Sequence, residues 1–320
     1  MDSVPLTFCR DVCSSLGYES NICSWMAETL TGYWKAAFSQ FAANSRHYHI
    51  GIGRDEIGWW FYARHINYAD YSTEHQFPLP PLDEFLELSR RYVVTEQVEF
   101  FNYLSDGITA SRCSDKDMVE RVAPFLSARA RLSSHFSIAE AFPQDLLVPV
   151  FDMFRTSYTF GAIHLPYRGP ESERFLLGHL ENNRAIRRLT IMTPWPRSEA
   201  LEKHLKKLLH SSTFTELELP LLDKDDNVSL RFTFEMFKIL FDAWIRAKNG
   251  KRFTVRATGG GSTGVTLQDV LSMPIPANIT RNEAKNERSE WFDVDWTKEN
   301  SGCLYSETFD ATSFSFLCNG

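Results

Sequence analysis

Phe160-Gly161-Ala162-Ile163-His164-Leu165, Ile186-Arg187-Arg188-Leu189-Thr190-Ile191 and Phe214-Thr215-Glu216-Leu217-Glu218-Leu219 carry one pattern three times. An apolar residue is followed by two more, at the third and fifth positions after it. The copies start 26 and then 28 residues apart, and Phe253-x-Val255 is a shortened fourth. The closing apolar pair of each copy alternates as on a strand with one buried face. Each strand-like core is followed by a helical pattern. Residues 198–210 put Leu201, Leu205, Leu208 and Leu209 on one face, with Ser198 as N-cap, Glu199 in the first turn and Lys206, Lys207 and His210 in the last. Residues 233–247 present Phe237, Leu240, Phe241 and Trp244, with Asn249-Gly250 as a stop signal. Strand–helix units of this period bury their apolar faces against their neighbours, which builds a stack. The expected class is α/β, and the plainer alternative is an ordinary open α/β sheet whose repetition is only the usual βα rhythm.

Outward from the repeats, Pro274-Ile275-Pro276 and a polar run from Asn282 to Glu290 lead to Trp291–Trp296 and Cys303–Tyr305, which alternate like a terminal hairpin, and 313–318 adds a possible strand. Towards the N-terminus, Phe8, Val12 and Leu16 form the stripe of a short helix with Pro5 at its first turn and Gly17 at its end. A second helix spans Asn21 to Leu30, and a third starts near Gly32 with Trp34 and Phe38. Residues 47–66 read as a hairpin around Arg54-Asp55-Glu56, and Pro78–Pro81 marks a break. Helical runs are expected at 82–91, 95–104 (Val98, Phe101, Tyr103) and 115–130. The domain division is 1–42 helical segment, 43–130 hairpin and connector, 131–275 βα-repeat domain and 276–320 β cap.

Composition excludes several function classes. The 320 residues are 43% hydrophobic, 23% charged and 14% aromatic, with 25 Phe and 8 Trp. These values suit a globular chain with large aromatic cores or adhesive surfaces. A formal net charge of −7, without a basic arm, disfavours nucleic-acid binding. No run meets the length rule for a membrane span, and the N-terminus lacks the pattern of a signal peptide. Six scattered Cys (Cys9, Cys13, Cys23, Cys113, Cys303, Cys318) with no CxxC pair suggest reduced thiols and a cytoplasmic or nuclear address.

Chemical candidates are few. Gly260-Gly261-Ser262-Thr263-Gly264 fits G-x-S-x-G between a strand at 253–257 and a helix at 266–272, the setting of a nucleophile elbow. A triad of that kind needs a later His, and the last is His210, so an ordinary Gly-rich loop is the better reading. The same loop could cradle a phosphate, but it lacks the Lys and spacing of a P-loop. His47 and His49 share a strand face and could join Glu56 on a metal, although such residues are usually surface side chains. Cys9 and Cys13, four apart on a helix, read as small core hydrophobes. Trp59-Trp60-Phe61-Tyr62 covers both faces of the hairpin, by burial against the 82–130 helices or as a partner anchor. The expectation is therefore a non-enzymatic chain without metal or cofactor.

Two resemblances follow from these residues. The repeat core resembles that of leucine-rich repeats, although the Asn or Cys expected next is absent. The opening segment resembles an F-box. Val4-Pro5 stands for its Leu-Pro start, Phe8-Cys9, Val12 and Leu16 match the first helix, Ile22 the next, and Trp34-Lys35 the closing Trp. Thr7 replaces the usual Glu, and the acidic-Pro turn is missing. Together with the Trp-rich hairpin and the 234–255 helix–strand unit, the layout is similar to the nematode F-box and F-box-associated (FTH-like) families. That resemblance implies an N-terminal helical F-box-like segment, a leucine-rich-repeat-like βα stack and a C-terminal β-hairpin cap. It further implies a substrate-recognition subunit of a cullin–RING ubiquitin ligase. Val4, Pro5, Phe8, Val12, Leu16 and Trp34 would meet the ubiquitin-ligase adaptor, and the stack an unknown protein target. No cofactor, nucleic acid or membrane is implied. The alternative is a repeat scaffold whose N-terminus packs internally.

Overall fold

A computed structural model describes residues 4–16, 20–66, 82–88, 92–104, 108–182, 186–220, 229–247, 251–258, 264–286, 291–299, 301–308 and 313–319. The chain is mixed α/β, with N-terminal helices, parallel βα units and antiparallel C-terminal strands. It divides into two compact units, Met1–Ala162 and Ile163–Gly320.

The first unit opens with α1 (Leu6–Leu16), α2 (Ser20–Thr29) and α3 (Gly32–Asn44). Their shared core is Cys9, Cys13, Cys23, Ala37, Phe38 and Phe41 against Val94. The sheet follows with β1 (Arg46–Asp55), β2 (Gly58–His65), β3 (Val93–Phe101), β4 (Ser111–Cys113) and β5 (Ala130–Ile138), in the order β5-β3-β1-β2-β4. β1 and β2 form the expected hairpin, with Asp55 opposite Gly58. β3 runs parallel to both β1 and β5. One face of this sheet is filled by Phe100, Phe136, Phe154 and Phe160, with ring centroids 5.3–6.2 Å apart. Burying one such side chain stabilises by roughly 1.5–3 kcal/mol.

One local expectation in this unit is overturned, one holds over the described residues, and one is shortened. Residues 95–104 do not form a helix, because 93–101 is the central strand β3. Val98, Phe101 and Tyr103 mimic a helical stripe, but the β-branched run Val93-Val94-Thr95 favours a strand, and a register shift between Thr95 and Gln97 breaks the two-residue period before Val98 and Phe100 resume it. The run expected at 82–91 is helical as α4 (Leu82–Glu87), and 89–91 lie outside the described residues. The 115–130 helix is shorter and interrupted. It consists of α5 (Asp115–Asp117), a π turn (Met118–Val122) and α6 (Ala123–Ser127), and β5 begins at Ala130. Pro124, which lacks a backbone N–H, sits in the first turn of α6, two residues after the π turn ends. A further helix, α7 (Leu147–Phe154), carries Phe151 and Phe154 into the core.

The second unit alternates β6 (Ala162–Leu165), α8 (Pro170–Asn182), β7 (Arg188–Ile191), α9 (Glu199–His210), β8 (Glu216–Pro220), α10 (Phe234–Arg246), β9 (Phe253–Thr258) and α11 (Leu267–Leu271). β10 (Thr280–Asn286), β11 (Trp291–Lys298), β12 (Ser301–Thr308) and β13 (Ser313–Asn319) close it, in the order β10-β11-β12-β13-β9-β8-β7-β6. β7, β8 and β9 are parallel, and β9 through β10 pair antiparallel. The repeated apolar pairs Leu189/Ile191, Leu217/Leu219 and Val255/Ala257 are all buried. α9 packs against both α8 and α10, as expected of helices laid on one face. Ser198 caps α9 by accepting from Leu201 N. Phe237 of α10 meets Phe316 at 4.4 Å, Tyr305 at 6.0 Å and Trp296 at 6.2 Å. The C-terminal segment therefore has four strands. β10 overlaps the start of the run read as merely polar, and its charges suit a sheet edge.

The expectation of uniformly reduced thiols is also corrected. Cys303 and Cys318 form a disulfide, because the β12–β13 register sets them directly opposite with Cα atoms 4.1 Å apart.

Candidate functional site

Pro5 ends the lead-in to α1. Its carbonyl accepts the first intrahelical bond, from Cys9 N at 3.2 Å. The helix period then separates two faces. Cys9 and Cys13 point into the three-helix core and are fully buried. Phe8 is 53% exposed, Pro5 is exposed, and Val4 and Val12 are half-buried. Trp34 on α3 is half-buried and meets Phe8 edge-to-face at 6.4 Å. Leu16 closes α1, and its side chain lies outside the described set. Of the six residues singled out by sequence, five are thus described, and the structure brings Phe8 and Trp34 into contact.

Two further aromatics are exposed on the same helices, Trp25 of α2 (60%) and Tyr33 of α3 (50%). Sequence reasoning singled out neither of them. The signal available was that the three-helix core was already filled by small and aromatic residues at other phases. Val4, Leu6, Met26, Leu30 and Trp34 pack partly against that core. Such a surface can bury apolar area against a partner. Burial pushes the Cys13 and Cys23 thiols up to about 11, which keeps them protonated.

The other candidates disperse. His47 is buried and binds Glu96 at 2.5 Å, whereas His49 binds Glu99 at 3.1 Å. Glu56 lies at the hairpin tip, away from both. Among the described residues no group of His, Cys, Asp and Glu is arranged to hold a metal. Trp59, Trp60 and Phe61 are buried, and Phe61 packs on Phe85 of α4 at 5.9 Å, so the aromatic cluster serves the core. Residues 259–263, including Ser262, lie outside the described residues, and Gly264 bridges to Thr233. No described helix is long and apolar enough to cross a membrane.

Comparison of the chain with protein-family models, with curated proteins and with solved structures finds no match.

Proposed function

We propose that this chain is a non-catalytic protein-interaction subunit with an F-box-like N-terminal module and a leucine-rich-repeat-like βα body closed by a β cap. The module docks on the adaptor of a cullin–RING ubiquitin ligase, and the body holds a protein target. The supporting observation is the division of α1. Cys9 and Cys13 occupy the internal core, and Pro5 and Phe8 remain open to solvent, with Phe8 set edge-to-face on Trp34. An exposed aromatic of this kind can act as an anchor in an interface.

The test is a pull-down of the ligase adaptor by the full chain. Wild type captures it, and Pro5→Ala combined with Phe8→Ala reduces capture at least ten-fold. Undiminished capture by the double variant, or none by wild type, removes the docking role.

A second reading, a scaffold with its N-terminus packed internally, draws on the partial burial of Val4, Leu6 and Trp34 against the three-helix core. It predicts no adaptor capture and strong hydrogen-exchange protection of the Phe8 and Val12 amides.

A further inference from the structure

β10 is the outer strand of the second unit's sheet and, among the described residues, has a strand neighbour on one side, β11. An edge strand offers unpaired backbone N–H and C=O groups, and proteins blunt such edges by shortness, Pro, bulges, a cover or charge. The first unit's edge strand β4 is blunted by shortness, at three residues. β10 runs seven residues without Pro or Gly, and its register with β11 is unbroken from Thr280 to Asn286. Asn282, Glu283, Ala284 and Lys285 are all exposed, so both faces of the strand are open there. Its remaining guard is charge, and that charge is of both signs. Arg281, Glu283 and Lys285 follow one another along one face.

We propose that β10 pairs edge to edge with β10 of a second copy of this chain, antiparallel, about a two-fold axis at Ala284. Alternate residues of an edge point their backbone groups outward, so two identical edges meet with a residue on the axis. The fullest overlap, centred on Glu283, would set Glu283 against its own copy and Arg281 against Lys285, like charge against like. Centred one residue further on, at Ala284, Glu283 of each copy faces Lys285 of the other. Centred on Asn282, Glu283 would instead face Arg281 of the other copy. That guanidinium donates to the Leu271 carbonyl at 2.7 Å and already meets Glu283 of its own strand at 3.1 Å. The Ala284 register keeps this contact and adds a second cation on the other side of Glu283. The same unit holds Glu216 in that way, 3.6 Å from Arg188 and 3.6 Å from Arg256 on the flanking strands. Pairing over 282–286 is small beside the roughly 1,200–2,000 Å² of a standard interface, so the dimer is weak and forms with concentration. This goes beyond the docking of α1, which lies in the first unit, and does not depend on it.

The experiment is sedimentation velocity of the full chain from about 1 μM to about 300 μM. Wild type passes from monomer to dimer, and added salt weakens the association. Glu283→Lys and Lys285→Glu each put like charges opposite one another and weaken dimerisation about ten-fold or more. An equimolar mixture of the two variants associates as wild type does, because every Lys then faces a Glu. That recovery separates lost pairing from misfolding. A chain that stays monomeric throughout, which would leave the edge to an extended segment of another protein, overturns the proposal. So does a dimer indifferent to both variants, or a mixture no better than its components. Loss on Glu283→Lys without loss on Lys285→Glu overturns it as well, since it would centre the pairing on Asn282.

Discussion

The indole of Trp60 lies flat on the backbone of Gly53. A methyl group at Gly53 would stand 2.1 Å from Trp60 Cζ2 and 2.7 Å from the Phe101 carbonyl oxygen. The neighbouring pair repeats the arrangement, with Tyr62 over Gly51, and the Trp60 and Tyr62 rings are nearly coplanar at 9°. The glycines of β1 are therefore floor positions for aromatic rings.

Gly53→Ala accordingly forces the buried indole or the β3 backbone to move. Overpacking of this kind costs about 1–3 kcal/mol. Denaturant unfolding should show a loss in that range for Gly53→Ala. No loss would mean that the ring sits elsewhere.

Phe8 and Phe41 of the N-terminal module differ in environment, Phe8 half-exposed and Phe41 buried in the three-helix core. Phe8→Ala should change stability by less than about 1 kcal/mol, whereas Phe41→Ala costs about 3–5 kcal/mol. A large loss for Phe8→Ala would class it with the core and count against docking.

Lys251 reaches back to the C-terminal end of α9, donating to the carbonyls of Leu209 at 2.9 Å and Ser211 at 2.7 Å. Burial pulls its ammonium down to about 8 from the ordinary 10.5, although the carbonyls and the helix terminus favour the charge. Between those values the unfolded chain holds a proton that the folded chain has released, so stability rises with pH across the window. The stability of wild type relative to Lys251→Met should increase between pH 8 and about 10.5. A flat difference would show that Lys251 titrates normally.

Cys303 and Cys318 close a loop with a sequence separation of 15. Such a closure is worth up to about 3 kcal/mol through the unfolded chain. Cys303→Ser with Cys318→Ser, and wild type in reductant, should lose the same increment. Thiol labelling of denatured, unreduced protein should spare both residues, and labelling of either one would show that the bond is not formed.

The sequence carried its clearest information where local pattern and tertiary environment agree. The 160, 186 and 214 repeats are strands because each apolar pair meets a helix on one face and leaves polar residues such as Glu216 and Glu218 on the other. Ser198 was legible as a cap because capping is settled within one turn. β3 was misread because a register shift after Thr95 breaks its alternation, and β10 was missed because an edge strand needs no apolar face. The metal candidate failed for the same class of reason: Glu96 and Glu99, not Glu56, are the acids that β3 brings beside His47 and His49.

By itself, then, the sequence determined the α/β class, the order of the repeating units and the amphipathic N-terminal helices, since each depends on spacing within a few residues. Tertiary structure alone decided which face of α1 is core, that Cys303 meets Cys318, and that Glu96 and Glu99 stand beside His47 and His49. Those outcomes depend on strand register and on pairings between distant segments, which no local spacing encodes.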